Sequence, residues 1–425
     1  MTMDGHMPAP DNRRGSFLLL FSTLIIVGFG NTMLLAILPP LARRMDLPDT
    51  SVGWIFSLSA LIWVFASSFW GRTSDRTGRK PIIALGLGAY AVSMTFFGLI
   101  CIVGVNHLVS PALIFIGLLL ARAIFGAVGS ASSPAGQAYV ADRTSAAERT
   151  EELASLGSAF ALGAALGPAL AGVIAARVGP ITPIFIVAAL SAFASFAIMR
   201  FLPESKTPEL PLEGKRETSW KMALDRRVSG HLIYGFGLSL VGGTLQQTFT
   251  FYTMDRLNLD EQTTIVYASN GLMVGALALL ATQLGLLRIL KLGARPLMVL
   301  GAIIMALAVL VQIWADSLNL LLVSQMLLGV GGGLARPGFS GGASLSVRQE
   351  EQGGLAGLVV AINGAGFVFS PLTGVTLYEM AGVHAPLWLA TGVLVAMALF
   401  ALLSRRLRST GGVSSSSQHG GPEGG

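Results

Sequence analysis

The chain has 425 residues, 53% of them hydrophobic and only 12% charged, with 28 Lys and Arg against 22 Asp and Glu and a formal charge of +6. A soluble globular domain carries about 25% charged residues, so this composition excludes an ordinary water-soluble fold, which could not cover so much apolar surface. The basic excess does not point to nucleic acid, because it sits in short clusters between apolar runs and forms no continuous face.

In chain order, apolar runs lie near 17–38, 53–70, 81–104, 112–138, 155–175, 181–201, 230–252, 263–287, 296–314, 318–340, 354–378 and 386–403. A helix needs roughly 20 such residues to cross the hydrocarbon of a bilayer. The first run follows Arg13 and Arg14 and stays apolar for 22 residues. The apolar core of a signal peptide is only about 7–15 residues long, and no small-x-small cleavage site ends this run, so it reads as a membrane span. The 52 glycines suit close helix contacts in lipid. The expectation is an all-α membrane protein with 12 transmembrane helices.

Lys and Arg mark the cytoplasmic face of such proteins. With the N-terminus in the cytoplasm, 22 of the 28 fall on that side and four (Arg43, Arg44, Arg177, Arg256) on the other, while Arg122 and Arg336 fall inside spans. This predicts a multi-pass protein of a bacterial inner membrane with both termini cytoplasmic. The polar stretch 203–228, with Pro203, Pro208 and Pro211, reads as a cytoplasmic linker between six-span bundles at 1–202 and 229–404, and the Gly/Ser-rich 405–425 as a disordered tail.

The two halves resemble each other. Gly126, Gly129, Pro134, Gly163 and Pro168 reappear as Gly329, Gly332, Pro337, Gly366 and Pro371, each at an offset of 203, and Gly78, Lys80 and Pro81 as Gly293, Arg295 and Pro296 at an offset of 215. Two pseudo-symmetric six-helix bundles that rock about a site near the midplane are expected.

After span 2 the chain reads Gly71-Arg-Thr-Ser-Asp75-Arg76-Thr-Gly78-Arg79-Lys80-Pro81. A basic loop obeying charge asymmetry explains Arg76, Arg79 and Lys80 but not Gly71, Asp75 and Gly78 at this spacing. Span 4 carries Arg122 before Gly126 and Gly129, and span 5 carries Gly163, Gly167, Pro168 and Gly172 as Gly-x3-Gly-Pro-x3-Gly. Together these resemble the signatures of the major facilitator superfamily, and the span 5 element resembles that of its 12-span drug:proton antiporter branch.

The resemblance implies the major facilitator fold and a conformational latch of Gly71, Asp75, Arg76, Gly78, Arg79, Lys80 and Asp142. In that latch Asp75 meets the N-terminus of span 11 when the protein faces outward, and Arg79 meets Asp142 in loop 4–5. It implies a proton or substrate role for Arg122, a seal against leak at the span 5 motif, a proton gradient as energy source, and a monomer. An arginine within a membrane span is a functional candidate on physical grounds alone.

Many proton-coupled drug exporters carry an acid inside span 1; here it holds Asn31 and Thr32, and no other span has an Asp or Glu near its middle. A lipophilic cation would want a buried carboxylate, so the expected substrate is a neutral or anionic lipophilic molecule facing Arg122 or Arg336. By depth, Asn31, Gln246, Gln247, Asn270, Gln325 and Asn363 are candidate cavity residues, with Trp63, Phe125 and Phe367 as candidate apolar wall. His6, His107, His231, His384 and His419 do not sit at metal-ligand spacing, no nucleotide-binding Gly-x4-Gly-Lys-Ser/Thr loop is present, and no cofactor is expected. An exporter of small lipophilic compounds, drugs or a metabolite, is the leading reading. A symporter or uniporter of one small solute is the alternative. An enzyme or receptor would need a catalytic cluster or soluble domain, and the longest polar stretch is too short for one.

Overall fold

The computed structural model describes residues 13–204, 222–290, 292–348, 351–404 and 407. Among them there is no strand, and 12 helices are long and apolar enough to cross a membrane. Spans 1 to 6 are Arg13–Arg44, Asp49–Thr77, Arg79–Val105, Pro111–Asp142, Ser155–Val178 and Thr182–Phe201. Spans 7 to 12 are Arg226–Leu257, Glu261–Leu290, Ala294–Trp314, Leu318–Leu345, Gly354–Ala381 and Ala385–Leu403. The linker expected at 203–228 lies outside the described residues from 205 to 221, and its last residues already belong to span 7. Of the expected tail only Leu407 is described, and it is buried.

Helix starts follow local capping chemistry. The helix leading into span 5 opens on a capping box in which Ser145 accepts from the Glu148 backbone N–H and the Glu148 carboxylate returns the bond. Arg13 also donates to Glu148, and this pairing, with the Ser145 bonds, holds the carboxyl below its usual range. Asp260 caps span 8 by accepting from Thr263. Span 4 is not continuous: its helix ends at Ala127, a 3-10 turn covers Gly129–Ala131, and helix resumes at Ser132.

The halves pack alike. Span 1 packs on 5 as 7 does on 11, span 3 on 6 as 9 on 12, and span 2 on 4 as 8 on 10. The halves meet through spans 5 and 8 and through spans 2 and 11. The repeat reaches individual contacts. A Cβ on Gly163 would collide with the carbonyl oxygen of Ile25 in span 1, and one on Gly366 would collide with Ser239 in span 7. Only glycine permits such backbone approach.

The central cavity and its two ends

A cavity of about 610 Å³ lies between the halves, within the range of drug-sized ligand sites. Its wall is mainly apolar and includes Phe56, Trp63, Phe125, Phe160 and Phe367. Of the residues singled out from sequence, Asn31, Arg122, Gln246, Gln247, Gln325, Arg336 and Pro168 line it. Asn363 does not: its Oδ1 accepts from Ser239 Oγ at 2.8 Å, joining spans 11 and 7. Asn270 is also off the wall, on a turn where Ser269 and Gly271 are spent against Gly172 and Phe249. Phe56 and Phe160 were not singled out, because apolar spans hold many aromatics and lipid-facing and cavity-facing ones share one composition.

Among the described residues, no Asp or Glu lines the cavity. Arg122 is 3% exposed. Its Nη2 donates to Asn31 Oδ1 at 3.2 Å, while Nε and Nη1 have no hydrogen-bond partner among the described residues. The guanidinium carbon lies 4.7 Å from the Phe125 ring centroid and 5.6 Å from that of Phe56, at cation–π distance. Gly163, Gly167 and Gly172 stand at close helix crossings. Gly163 and Gly167 face span 1, at Ile25 and at Thr32, and Gly172 faces Ser269 of span 8 in the other half.

At the end away from the termini, ion pairs bind the two halves. Arg43 of span 1 donates from Nε to Asp49 Oδ1 at 2.8 Å and from Nη2 to Asp255 Oδ2 at 2.8 Å, and Nη1 reaches Asp255 Oδ1. The Tyr378 hydroxyl donates to Asp255 Oδ2 at 2.6 Å. Beside this cluster, Arg44 pairs with Glu261 and the Thr50 N–H donates to Glu379. At the opposite end, the ion pairs among the described residues each stay within one half: Arg13 with Glu148, Arg79 with Asp142, and Arg227 with Glu351. Among the described residues, ion pairs thus tie the two halves together at the far end and not at the end that bears the termini.

In the stretch after span 2, Gly78 adopts φ +96°, a conformation costly for any residue with a side chain. This sharp turn places Arg79 at the start of span 3, where it is 5% exposed. Its Nε donates to Asp142 Oδ2 at 3.0 Å, and its Nη1 donates to Ser74 Oγ at 2.7 Å and pairs with Asp75 Oδ1 at 2.5 Å. Asp142 is the last residue of the span 4 helix rather than a loop residue. Among the described residues no hydrogen bond joins Asp75 to span 11; its partner here is Arg79. Arg76 is exposed, Lys80 gives its backbone N–H to Glu204 at 3.4 Å, and Gly71 sits 3.8 Å from Pro134 by its would-be Cβ.

The Major Facilitator Superfamily profile matches residues 20–290 and 286–423. The chain belongs to the major facilitator superfamily. It is 28% identical over 396 residues to the class B tetracycline resistance protein of Escherichia coli, covering 87% of this chain and 89% of that one. It is 26% identical over 393 residues to multidrug resistance protein 2 of Bacillus subtilis (strain 168), covering 89% and 92%. A bacterial homologue of the human lysosomal transporter Spinster, solved in an inward-facing and occupied conformation, superposes with a TM-score of 0.68 at 16% identity, over 94% of this chain and 96% of that one.

As a major facilitator, the protein is a multi-pass membrane transporter whose ligand is a small molecule. Its Arg79 cluster gives a direct test. Asp75→Asn keeps the side-chain volume but removes one of two negative partners of a buried guanidinium. Transport should fall at least about tenfold, the scale of one lost charged contact, with expression and membrane insertion unchanged. Wild-type transport by that variant would remove Asp75 from the working cycle.

Proposed function

We propose that the protein exports small lipophilic compounds, neutral or anionic, from a bacterial cell, in the manner of a drug or metabolite efflux transporter. The observation that carries this reading is a mainly apolar cavity between the halves, which ion pairs tie together at one end and, among the described residues, not at the other. Alternating access follows from that geometry: the far-end pairs break, the two halves rock, and the termini end closes. The tetracycline and multidrug resistance relatives support export, as does the Gly-Pro element of span 5. The Lys and Arg distribution supports an inner-membrane protein with both termini in the cytoplasm, and in that orientation the cavity loads from inside. The working unit is a monomer whose only other partner is the bilayer; nucleic acid and metal have no part in it.

The energy source in this proposal is an inward proton gradient, exchanged for substrate. A uniporter or symporter is the second reading, and one observation favours it: among the described residues the cavity wall holds no carboxylate to carry the proton. Purified protein in proteoliposomes under an imposed pH gradient decides between them. Proton release driven by a neutral or anionic lipophilic compound supports antiport. Equilibration of a compound with no proton movement selects the uniporter. Proton coupling only with lipophilic cations overturns the substrate assignment.

A further inference from the structure

We propose that the cavity is a two-station path for lipophilic carboxylates, in which Arg336 captures the anion near the mouth and Arg122 holds it near the closed end. The assignment rests on the transport reading above and names its substrate class.

Among the described residues, the two arginines are the only charged side chains on the cavity wall. A guanidinium removed from water needs a partner or a strong reason to remain. Among the described residues, Arg122 has Asn31 alone, with Nε and Nη1 unbonded. Phe125 and Phe56 crowd it on the ring side, so little water is left to screen its charge. Arg336 is exposed to the cavity, and its guanidinium has no hydrogen-bond or ion-pair partner among the described residues.

The internal repeat fixes their relative depth. At the offset of 203, Arg122 aligns with Gln325 and Arg336 with Ser133, and all four line the cavity. Arg336 follows Gln325, the repeat mate of Arg122, by eleven residues of the continuous span 10 helix, roughly 16 Å at 1.5 Å per residue, in the direction of the end that bears the termini. The two positive charges are thus staggered along the path, each matched in the other half by a neutral polar side chain. At that spacing, with water in the mouth, they repel each other weakly. An anion is drawn first to the outer charge and then to the less hydrated inner one.

The wall defines the rest of the cargo. Trp63, Phe160 and Phe367 suit an apolar or aromatic body. A carboxylate matches the planar donor array of arginine. A phosphate dianion would lose far more hydration on entering an apolar chamber, and a cation would meet two like charges and no counter-ion.

Equilibrium binding to the full-length protein in detergent tests this with three matched probes: 9-anthracenecarboxylate, its neutral methyl ester, and 9-anthracenemethylammonium. The carboxylate should bind at least about tenfold more tightly than the ester, with the ammonium weakest. Arg122→Gln should erase the carboxylate preference while ester affinity stays within about twofold, which also verifies that the variant is folded. Arg122→Lys should keep part of the preference. Arg336→Gln should slow carboxylate association several-fold and flatten its salt dependence.

Equal affinity for carboxylate and ester in the wild type overturns the proposal. So does Arg122→Gln weakening all three probes alike, which is what a packing role predicts. An unchanged association rate in Arg336→Gln removes the outer station. Displacement of the carboxylate by equimolar phosphatidylglycerol would identify a lipid headgroup as the occupant and overturn the assignment to free carboxylates. Carboxylate-selective binding with no movement of the probe across proteoliposomes would sink the export reading and leave the anion path standing. Export of the ester or ammonium alone would do the reverse.

Discussion

Gly163→Val should nearly abolish transport and lower the thermal midpoint of the purified protein. The new side chain would meet the Ile25 carbonyl oxygen, a backbone atom fixed in the middle of span 1. A flexible neighbour could swing aside; a helix backbone must move as a unit. Overpacking of this kind costs about 3 kcal/mol at the upper end of its usual range, which for a protein of this size corresponds to a midpoint lower by about 3–4 °C. The repeat makes the prediction double, because Gly366→Val should fail for the same reason at the span 7–11 seam. Gly157→Ala is the control: it lies on the same helix as Gly163 with nothing within 4 Å of its would-be Cβ, so its midpoint should hold or rise slightly through better helix propensity. Equal stability and transport for Gly157→Ala and Gly163→Val would mean that the span 1–5 seam is not close-packed in the working protein.

Arg43→Ala should spring the far end open. One guanidinium serves two carboxylates from different halves, Asp49 and Asp255, and its loss leaves two like charges facing each other across the closure. The groups are about a quarter exposed, with side-chain values of 26% for Arg43 and 30% for Asp255, so water moderates the effect. A shift of about 2 kcal/mol against the closed end is the expected scale, or roughly thirtyfold in the ratio of open to closed forms. Gln246→Cys, placed in the cavity wall, reports it through its labelling rate with an impermeant maleimide added from the far side; the native Cys101 is fully buried and stays silent. Labelling should accelerate many-fold in Arg43→Ala, and transport should fall because the closed-outside state becomes rare. An unchanged labelling rate would show that the other contacts at that end, Arg44 with Glu261 and Thr50 with Glu379, hold it shut unaided.

Much of this architecture could be read from sequence because the bilayer leaves few options. Length and hydropathy determine the spans. The offset of 203 foretold that Gly163 and Gly366 would occupy equivalent seams. Arg79 and Asp142 were paired by motif resemblance, and the structure brings them to 3.0 Å. The far-end cluster left no such trace. Arg43 and Asp255 are remote in the chain and obey no period, and Arg43 entered the sequence reading only as an exception to the charge rule. Placement within a span was legible and facing was not: Gln246, Gln247 and Asn363 all lie well inside their spans, yet Asn363 turns to Ser239 in a neighbouring helix. In a span apolar on every side, no hydrophobic periodicity distinguishes the face toward the cavity from the face toward lipid.

A chamber whose described wall carries arginine and no carboxylate would, with an anion as cargo, also set how the cell's voltage acts on each turnover. A monoanion leaving a cell with a negative interior moves down the electrical gradient, gaining about 2.3 kcal/mol per 100 mV. If a proton enters in exchange, both movements carry charge in the same sense and the gain doubles to about 4.6 kcal/mol per 100 mV. For cargo of this sign, a collapsed membrane potential should slow export even when the pH gradient is intact, and a current should accompany every cycle.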